Sequence, residues 1–203
     1  MHGTGDFDGD GDSDILWQHA EGLVVIWEME DGEFVTNHNL SSVSNAWQIE
    51  GTGDFDRDGD SDILWRHAEG QVVIWEIEDS AYVVNHNLPD VATTWQIDGT
   101  GDFDRDGDSD ILWRHADGDV VTWEIEASAF VTNHNLPGVP TSWAIEGTAD
   151  IDEDGDTDIV WRQHGNGNPF AAWEMENNAL VVSFAFDVGP DWQVRGTGEF
   201  DLA

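Results

Sequence analysis

The chain of 203 residues contains no cysteine and no lysine, and only six arginines stand against 44 acids. Without cysteine, disulfide staples, thiol chemistry and cysteine-ligated zinc or iron–sulfur centres are excluded. So few basic groups form no cationic patch, so neither nucleic acid nor an anionic membrane surface is an expected partner. No run approaches the roughly 20 apolar residues of a membrane-spanning helix, so no insertion of that kind is expected. The opening "MHGTGDF" has neither a positive n-region nor an apolar h-region, and no signal peptide is expected there. It lies inside a repeat, which points to a segment cut from something longer.

What is present is a formal charge of -38 carried on a chain with 39% hydrophobic residues and twelve Trp. That is material for a core, not for a disordered acidic tail. Such a surface attracts cations. Specific sites do not account for all of it: 21 of the 44 acids lie in four Asp-rich loops, and the 23 others face six Arg. Salt adaptation or plain solubility is the competing explanation for that remainder.

The chain repeats itself. "GTGDFD" begins at Gly3, Gly51 and Gly99, with "GTADID" at Gly147 and "GTGEFD" at Gly196, in steps of 48, 48, 48 and 49 residues. Residues 51–98 and 99–146 differ at 11 of 48 positions. The fourth unit departs, with "RQHGNGNPFAAW" carrying two more residues than "RHADGDVVTW". Each unit reads as strand. "DILWRH" and "VVIWEIE" are β-branched and aromatic runs separated by an "EG" or "DG" turn, "AYVVNHNL" (81–88) follows another turn, and "WQIDGTGDF" (95–103) leads into the next Asp-rich loop. No segment holds a 3.6-residue apolar period. Four short strands per unit of about 48 residues, with Trp at fixed places, predict an all-β propeller of four antiparallel strands per blade. A solenoid is the competing repeat architecture, but its units are usually shorter and need distinct caps. The units run approximately 3–50, 51–98, 99–146 and 147–195, with a closing strand at 192–200. That last strand, "WQVRGTGEF", supplies what the N-terminus lacks. It would complete a four-bladed monomer or pair with a second copy in an eight-bladed homodimer, and both stay open.

The chemistry lies in D-x-D-x-D-G-x-x-D. Oxygens at positions 1, 3, 5, 7 and 9 of a tight loop converge on one point, and Gly at position 6 permits the sharp turn. Position 7 ordinarily offers its backbone carbonyl. The candidate ligands are Asp6, Asp8, Asp10, Asp12 and Asp14 in the first loop, and Asp54, Asp56, Asp58, Asp60 and Asp62 in the second. The third loop offers Asp102, Asp104, Asp106, Asp108 and Asp110, and the fourth Asp150, Asp152, Asp154, Asp156 and Asp158. Hard oxygens in this number, without His or Cys, select Ca²⁺ over zinc or copper, and Mg²⁺ seldom uses an all-protein cage. About four Ca²⁺ are expected, one per repeat. A solvated turn would explain one such loop but not four in register. An EF-hand would end in a bidentate Glu at position 12 and enter a helix, whereas Trp17, Trp65, Trp113 or Trp161 stands there and a strand follows.

These loops and strands, "GDFDRDGDSDILW" above all, resemble the FG-GAP and VCBS repeats of integrin α-chain heads and many secreted bacterial proteins. The resemblance covers the whole chain. It implies a calcium-binding β-propeller whose metal loop joins the innermost strand of a blade to the next. It also implies a secreted or cell-surface location, and a role in adhesion, ligand display or as an accessory module beside an enzyme. Family propellers often have seven blades, so four repeats depart from the pattern.

Three other residue sets invite a site. His19, His67 and His115 follow the first Trp of their units, and His38, His86 and His134 sit in "NHN". They suit a transition-metal or sugar site, or a polar decoration that blocks pairing at an outer edge strand. The pairs Glu28/Glu30, Glu76/Glu78, Glu124/Glu126 and Glu174/Glu176 recur in every unit, whereas a catalytic carboxylate pair occupies one place. No nucleophile elbow, phosphate loop or zinc-protease motif appears, and no enzyme is expected. Most Trp should pack between blades. Trp47, Trp95 and Trp143 are candidates to stack on sugar faces, with avidity from repetition. The expected function is a non-catalytic, calcium-binding structural or binding module with a protein or glycan ligand. A multivalent lectin and an accessory domain of a larger secreted enzyme are the alternatives.

Overall fold

The computed structural model describes residues 2–165 and 169–186. Among them there are sixteen strands and no helix. The first sheet holds β1 (Gly3–Gly5), β2 (Asp14–Gln18), β3 (Leu23–Glu30) and β4 (Glu33–Ser42). The second holds β5 (Trp47–Gly53), β6 (Asp62–His67), β7 (Val72–Glu78) and β8 (Ala81–Asn87). The third holds β9 (Trp95–Gly101), β10 (Asp110–His115), β11 (Val120–Glu126) and β12 (Ala129–Leu136). The fourth holds β13 (Trp143–Ala149), β14 (Asp158–Gln163), β15 (Phe170–Glu176) and β16 (Ala179–Phe186). Each sheet is a four-stranded meander in chain order. This is the all-β, four-blade architecture that the repeats predict. The second to fourth sheets each start at a Trp, so the "GTGDFD" phase of the repeat cuts through a first strand. The expected closing strand, 192–200, lies outside the described residues.

The connections explain the meander. Gly70, between β6 and β7, has φ +103°, and a Cβ there would lie 2.3 Å from the carbonyl oxygen of Val91. Only glycine meets both demands. Between the third and fourth strands come pairs with two positive φ values, such as Asp79 (47°) and Ser80 (59°), or Asn177 (49°) and Asn178 (60°). Two consecutive left-handed residues make the type I′ hairpin whose twist matches the strands. The first strand of the second to fourth sheets carries a bulge, at Glu50, Asp98 and Glu146. The acid at this bulge meets the arginine of the next strand: Glu50 faces Arg66, and Asp98 faces Arg114. Burial lowers the pKa of both arginines, and their guanidinium groups reach carbonyls of the connecting segment, Val91 and Ala92 for Arg66.

The described residues divide into two compact units, the first running to 93 and taking in 125–130, the second running from 94 to 124 and from 131 onward. The core of the first joins Phe7, Leu16, Val24, Ile26, Ile63, Trp65, Val73 and Ile77 across its two sheets. The second repeats it with Phe103, Leu112, Val120, Leu136, Ile159, Trp161, Trp173 and Met175. The expected use of Trp as core holds for Trp65, Trp113 and Trp161, each 1% exposed. Each lies against the next Trp of its blade, with ring centroids 5.0, 5.0 and 4.8 Å apart for the pairs with Trp75, Trp123 and Trp173.

Candidate metal loops

Each Asp-rich segment joins the first strand of a sheet to the second. In the first three its second residue is the anchor: Phe7, Phe55 and Phe103 are fully buried and pin the loop to the core beside its first carboxylate, whereas Ile151 of the fourth is exposed. The turn needs two left-handed residues. Position 6 supplies Gly11, Gly59, Gly107 and Gly155 with φ between 95° and 104°. Position 4 is left-handed as well, and there only the first loop has glycine: Gly9 is at 68°, but Arg57, Arg105 and Glu153 are at 62°, 61° and 60°. A side chain in that region is unfavourable by about 1–2 kcal/mol and persists because its surroundings fix it.

The aspartates divide their work. Position 1 folds the loop: Asp54 Oδ1 accepts the N–H of Asp58 at 3.2 Å, and its Oδ2 accepts that of Gly59 at 3.0 Å. The same pair of bonds recurs at Asp6, Asp102 and Asp150. Position 5 accepts the N–H of position 7, as Asp58 does from Asp60 at 2.9 Å. The side chain of position 7 caps the distant hairpin, Asp12 accepting from Asp31 at 2.7 Å and Asp60 from Asp79 at 2.8 Å. Position 9 is fully buried, and Asp62 accepts from Phe55 at 3.1 Å and Ile77 at 2.9 Å.

Carboxylate oxygens within 4.8 Å of one another come from Asp6, Asp8 and Asp10, and from Asp54, Asp56 and Asp58. In the other two loops position 9 takes the place of position 5: Asp102, Asp104 and Asp110, then Asp150, Asp152 and Asp158. The fold thus draws together three predicted residues per loop. It assigns the side chains of Asp12 and Asp60 to hairpin caps, and those of Asp14 and Asp62 to backbone donors.

Without a cation this arrangement is costly. Burial, then the neighbouring carboxylates, hold the carboxyls of Asp8, Asp56 and Asp104 at about 6, against an ordinary 3.8. Burial holds Asp158 at about 6 and Asp62 at about 8, although two backbone donors pull each of them down. Asp8 Oδ1 and Asp56 Oδ1 are buried with no hydrogen-bond donor. Unsatisfied carboxylate oxygens facing other carboxylates fit a bound cation, and an all-oxygen donor set fits a hard one. Each loop therefore groups acids that could hold a metal ion.

The third-strand acid beside each loop was not read as part of this site. Glu28, Glu76 and Glu124 add repulsion to Asp8, Asp56 and Asp104, and Glu174 hydrogen-bonds Asp152. Their two-residue repeat was the signal that could have found them. The histidines fall elsewhere. His38, His86 and His134 each place Nε2 2.7 Å from Oε2 of Glu28, Glu76 and Glu124. His19, His67 and His115 accept turn N–H groups through Nδ1, and His67 and His115 pack against Trp47 and Trp95.

Against known families, the model of the FG-GAP-like repeat matches three overlapping stretches, residues 6–65, 54–113 and 102–161. The chain belongs to the FG-GAP-like repeat family. Each match runs from one Asp-rich loop through the following one, so the FG-GAP-like repeat includes the loop as well as the strands. No curated protein matches this sequence. Among solved structures it is similar to the Tc holotoxin pore of Photorhabdus luminescens, at 13% identity and a TM-score of 0.44 over 92% of this chain and 12% of that one. It is also similar to the WD40 domain of SCAP from fission yeast, at 10% identity and 0.42 over 87% and 48%. A third likeness is to the computationally designed Ika8 protein, at 16% identity and 0.39 over 98% and 66%. At these scores the three likenesses bear on nothing further.

Proposed function

We propose that this FG-GAP-like chain is a calcium-binding, non-catalytic module with a structural and ligand-binding role, adhesion or display, outside the cell. One observation carries the reading: four loops in register each gather three carboxylates within 4.8 Å, and buried carboxylate oxygens of Asp8, Asp56 and Asp156 lack a donor. A cation there neutralises charges that otherwise oppose the turn. Binding to the folded form alone stabilises by about 2.7 kcal/mol per site at a hundredfold excess over Kd. Four such contributions rival the whole stability of an ordinary domain. The millimolar calcium outside cells suits loops of this kind and supports the extracellular location. Calorimetric titration tests the reading. About four Ca²⁺ per chain, with much weaker heats for Mg²⁺, is the expected result, and no saturable uptake would reject it. Light scattering decides between ring completion within one chain, at 22.5 kDa, and within a homodimer at twice that mass.

One groove favours a second reading, the multivalent lectin. A cavity of about 570 Å³ in the first unit is lined by Trp47 with Gln18, His19, Asn45, Gln48 and Glu50. An indole beside amides and a carboxylate is suited to a sugar ring. Saturable binding on a glycan array, competed by free sugar and lost in Trp47→Ala, would establish it, and an empty array would remove it. The accessory-domain alternative concerns the rest of the polypeptide and is decided by the neighbouring coding sequence.

A further inference from the structure

Two loop-to-loop contacts of the same kind can be compared, the first loop against the second and the third against the fourth. Their backbone links are alike. Asp6 O accepts from Ser61 N–H and Asp102 O from Thr157 N–H, while Phe7 O accepts from Ser80 N–H and Phe103 O from Asn178 N–H. Their side chains are not alike. Arg105, at position 4 of the third loop, places Nη2 2.9 Å from Asp156 Oδ2 and 3.1 Å from Asp154 Oδ2 of the fourth. Asn178, only 3% exposed, sends Nδ2 back to the third loop, 3.0 Å from Asp104 Oδ2 and 3.3 Å from Asp110 Oδ2. In the first unit Gly9 stands where Arg105 does, and Ser80 where Asn178 does. Gly9 has no side chain to offer, and the Ser80 hydroxyl is buried without a partner. Asp8 Oδ1 and Asp56 Oδ1, at position 3, lack donors in these two loops, whereas their counterpart Asp104 receives Asn178; in the fourth loop it is Asp156 Oδ1, at position 7, that lacks one.

We infer that the chain carries two classes of divalent-cation site, set by the residues at positions 9, 80, 105 and 178: a tight pair in loops one and two, and a weaker pair in loops three and four. Arg105 and Asn178 already bring the second pair part of the charge and hydrogen bonding that a cation would bring. A cation entering the fourth loop must share Asp154 with a guanidinium or displace it, and either subtracts from affinity. The carboxylate groupings divide the same way: Asp10 and Asp58 join the first and second groups, whereas their counterparts Asp106 and Asp154 are left out of the third and fourth, Asp154 being held by Arg105. The same two side chains should keep loops three and four ordered when the cation is withdrawn.

The inference rests on the calcium reading, and titration of the full chain with Ca²⁺ separates the two. The wild type should bind in two steps differing by roughly tenfold or more, the scale of one charge-assisted hydrogen bond. The double variant Arg105→Gly/Asn178→Ser should merge the steps into one tight class. Gly9→Arg is the converse and carries the test alone if the double variant does not fold. Arginine already occupies this backbone conformation at 57 and 105, and a Cβ on Gly9 would lie 2.6 Å from Oδ1 of Asp60, the counterpart of Asp156, so the Asp60 carboxylate must move aside to admit it. It should weaken one of the two tight sites by roughly tenfold. A single class of site, unchanged in both variants, would overturn the inference and leave calcium binding intact. A folded protein that takes up no calcium would overturn both.

Discussion

Ser61 donates its backbone N–H to the backbone carbonyl of Asp6, 2.5 Å away, across 55 residues of chain (61 minus 6). Position 8 of one loop is thereby tied to position 1 of the loop before it, and Thr157 repeats the tie to Asp102 at 2.6 Å. The residue that opens a loop with its side chain thus fixes the neighbouring loop with its main chain. Order in one loop is transmitted to the next through hydrogen bonds that do not depend on side-chain identity.

Two aspartates of the second loop should respond in opposite ways to neutralisation. Asp62→Asn leaves one oxygen for two backbone donors, so it should destabilise by roughly 1–3 kcal/mol with or without calcium. Asp56→Asn removes a charge that opposes its neighbours. It should leave the metal-free protein as stable as the wild type or more so, and reduce calcium uptake by one ion. Chemical denaturation with and without calcium, read beside titration, checks both.

The pH dependence of the metal-free protein should run against that of most acid-labile proteins. Carboxyls at about 6 in the folded form and near 3.8 in the unfolded form make the folded form bind more protons between those values. Asp62, at about 8, widens the window upwards. Stability should therefore rise as pH falls through that range, fully gained below the unfolded value. Protons compete with the cation for the same oxygens, so calcium affinity should fall over the same interval. Melts in EDTA at pH 7.5 and 5 would show a higher midpoint at pH 5, and the opposite order would contradict the electrostatic account.

Gly70→Ala tests the backbone geometry apart from metal. The φ of +103° and the approach of the Val91 carbonyl both oppose a methyl group, and a loss of roughly 2–4 kcal/mol is expected in urea unfolding. The effect should be equal in calcium and in EDTA.

His86→Ala should matter little. Its pair with Glu76 is partly exposed, and such pairs contribute about 0–1 kcal/mol. Calcium stoichiometry should be unchanged, whereas a role for His86 as a metal ligand would show as a lost ion.

Much of this was legible in the sequence because the signals are local. Runs such as "VVIWEIE" have the residues that pack on a pleated surface, "EG" and "DG" mark the hairpins, and the alternation of Asp around a glycine fixes where oxygens converge. Other features were hidden because their causes lie elsewhere in the chain. Nothing about Arg57 or Arg105 announces a left-handed backbone, which the loop imposes as it imposes it on Gly9. Arg105 and Asn178 act on carboxylates 49 and 74 residues away (154 minus 105, 178 minus 104), where no spacing rule reaches. Asp60 and Asp62 carry the same carboxylate as Asp54, and only the folded environment turns them into a hairpin cap and a buried backbone acceptor.

Thermal unfolding in calcium and in excess EDTA tests the central claim most directly. If cations neutralise the crowded loops, the midpoint should fall by tens of degrees on chelation and return when calcium is restored. Midpoints that coincide would mean that the acids are tolerated without a metal, and the structural role assigned to calcium would be wrong.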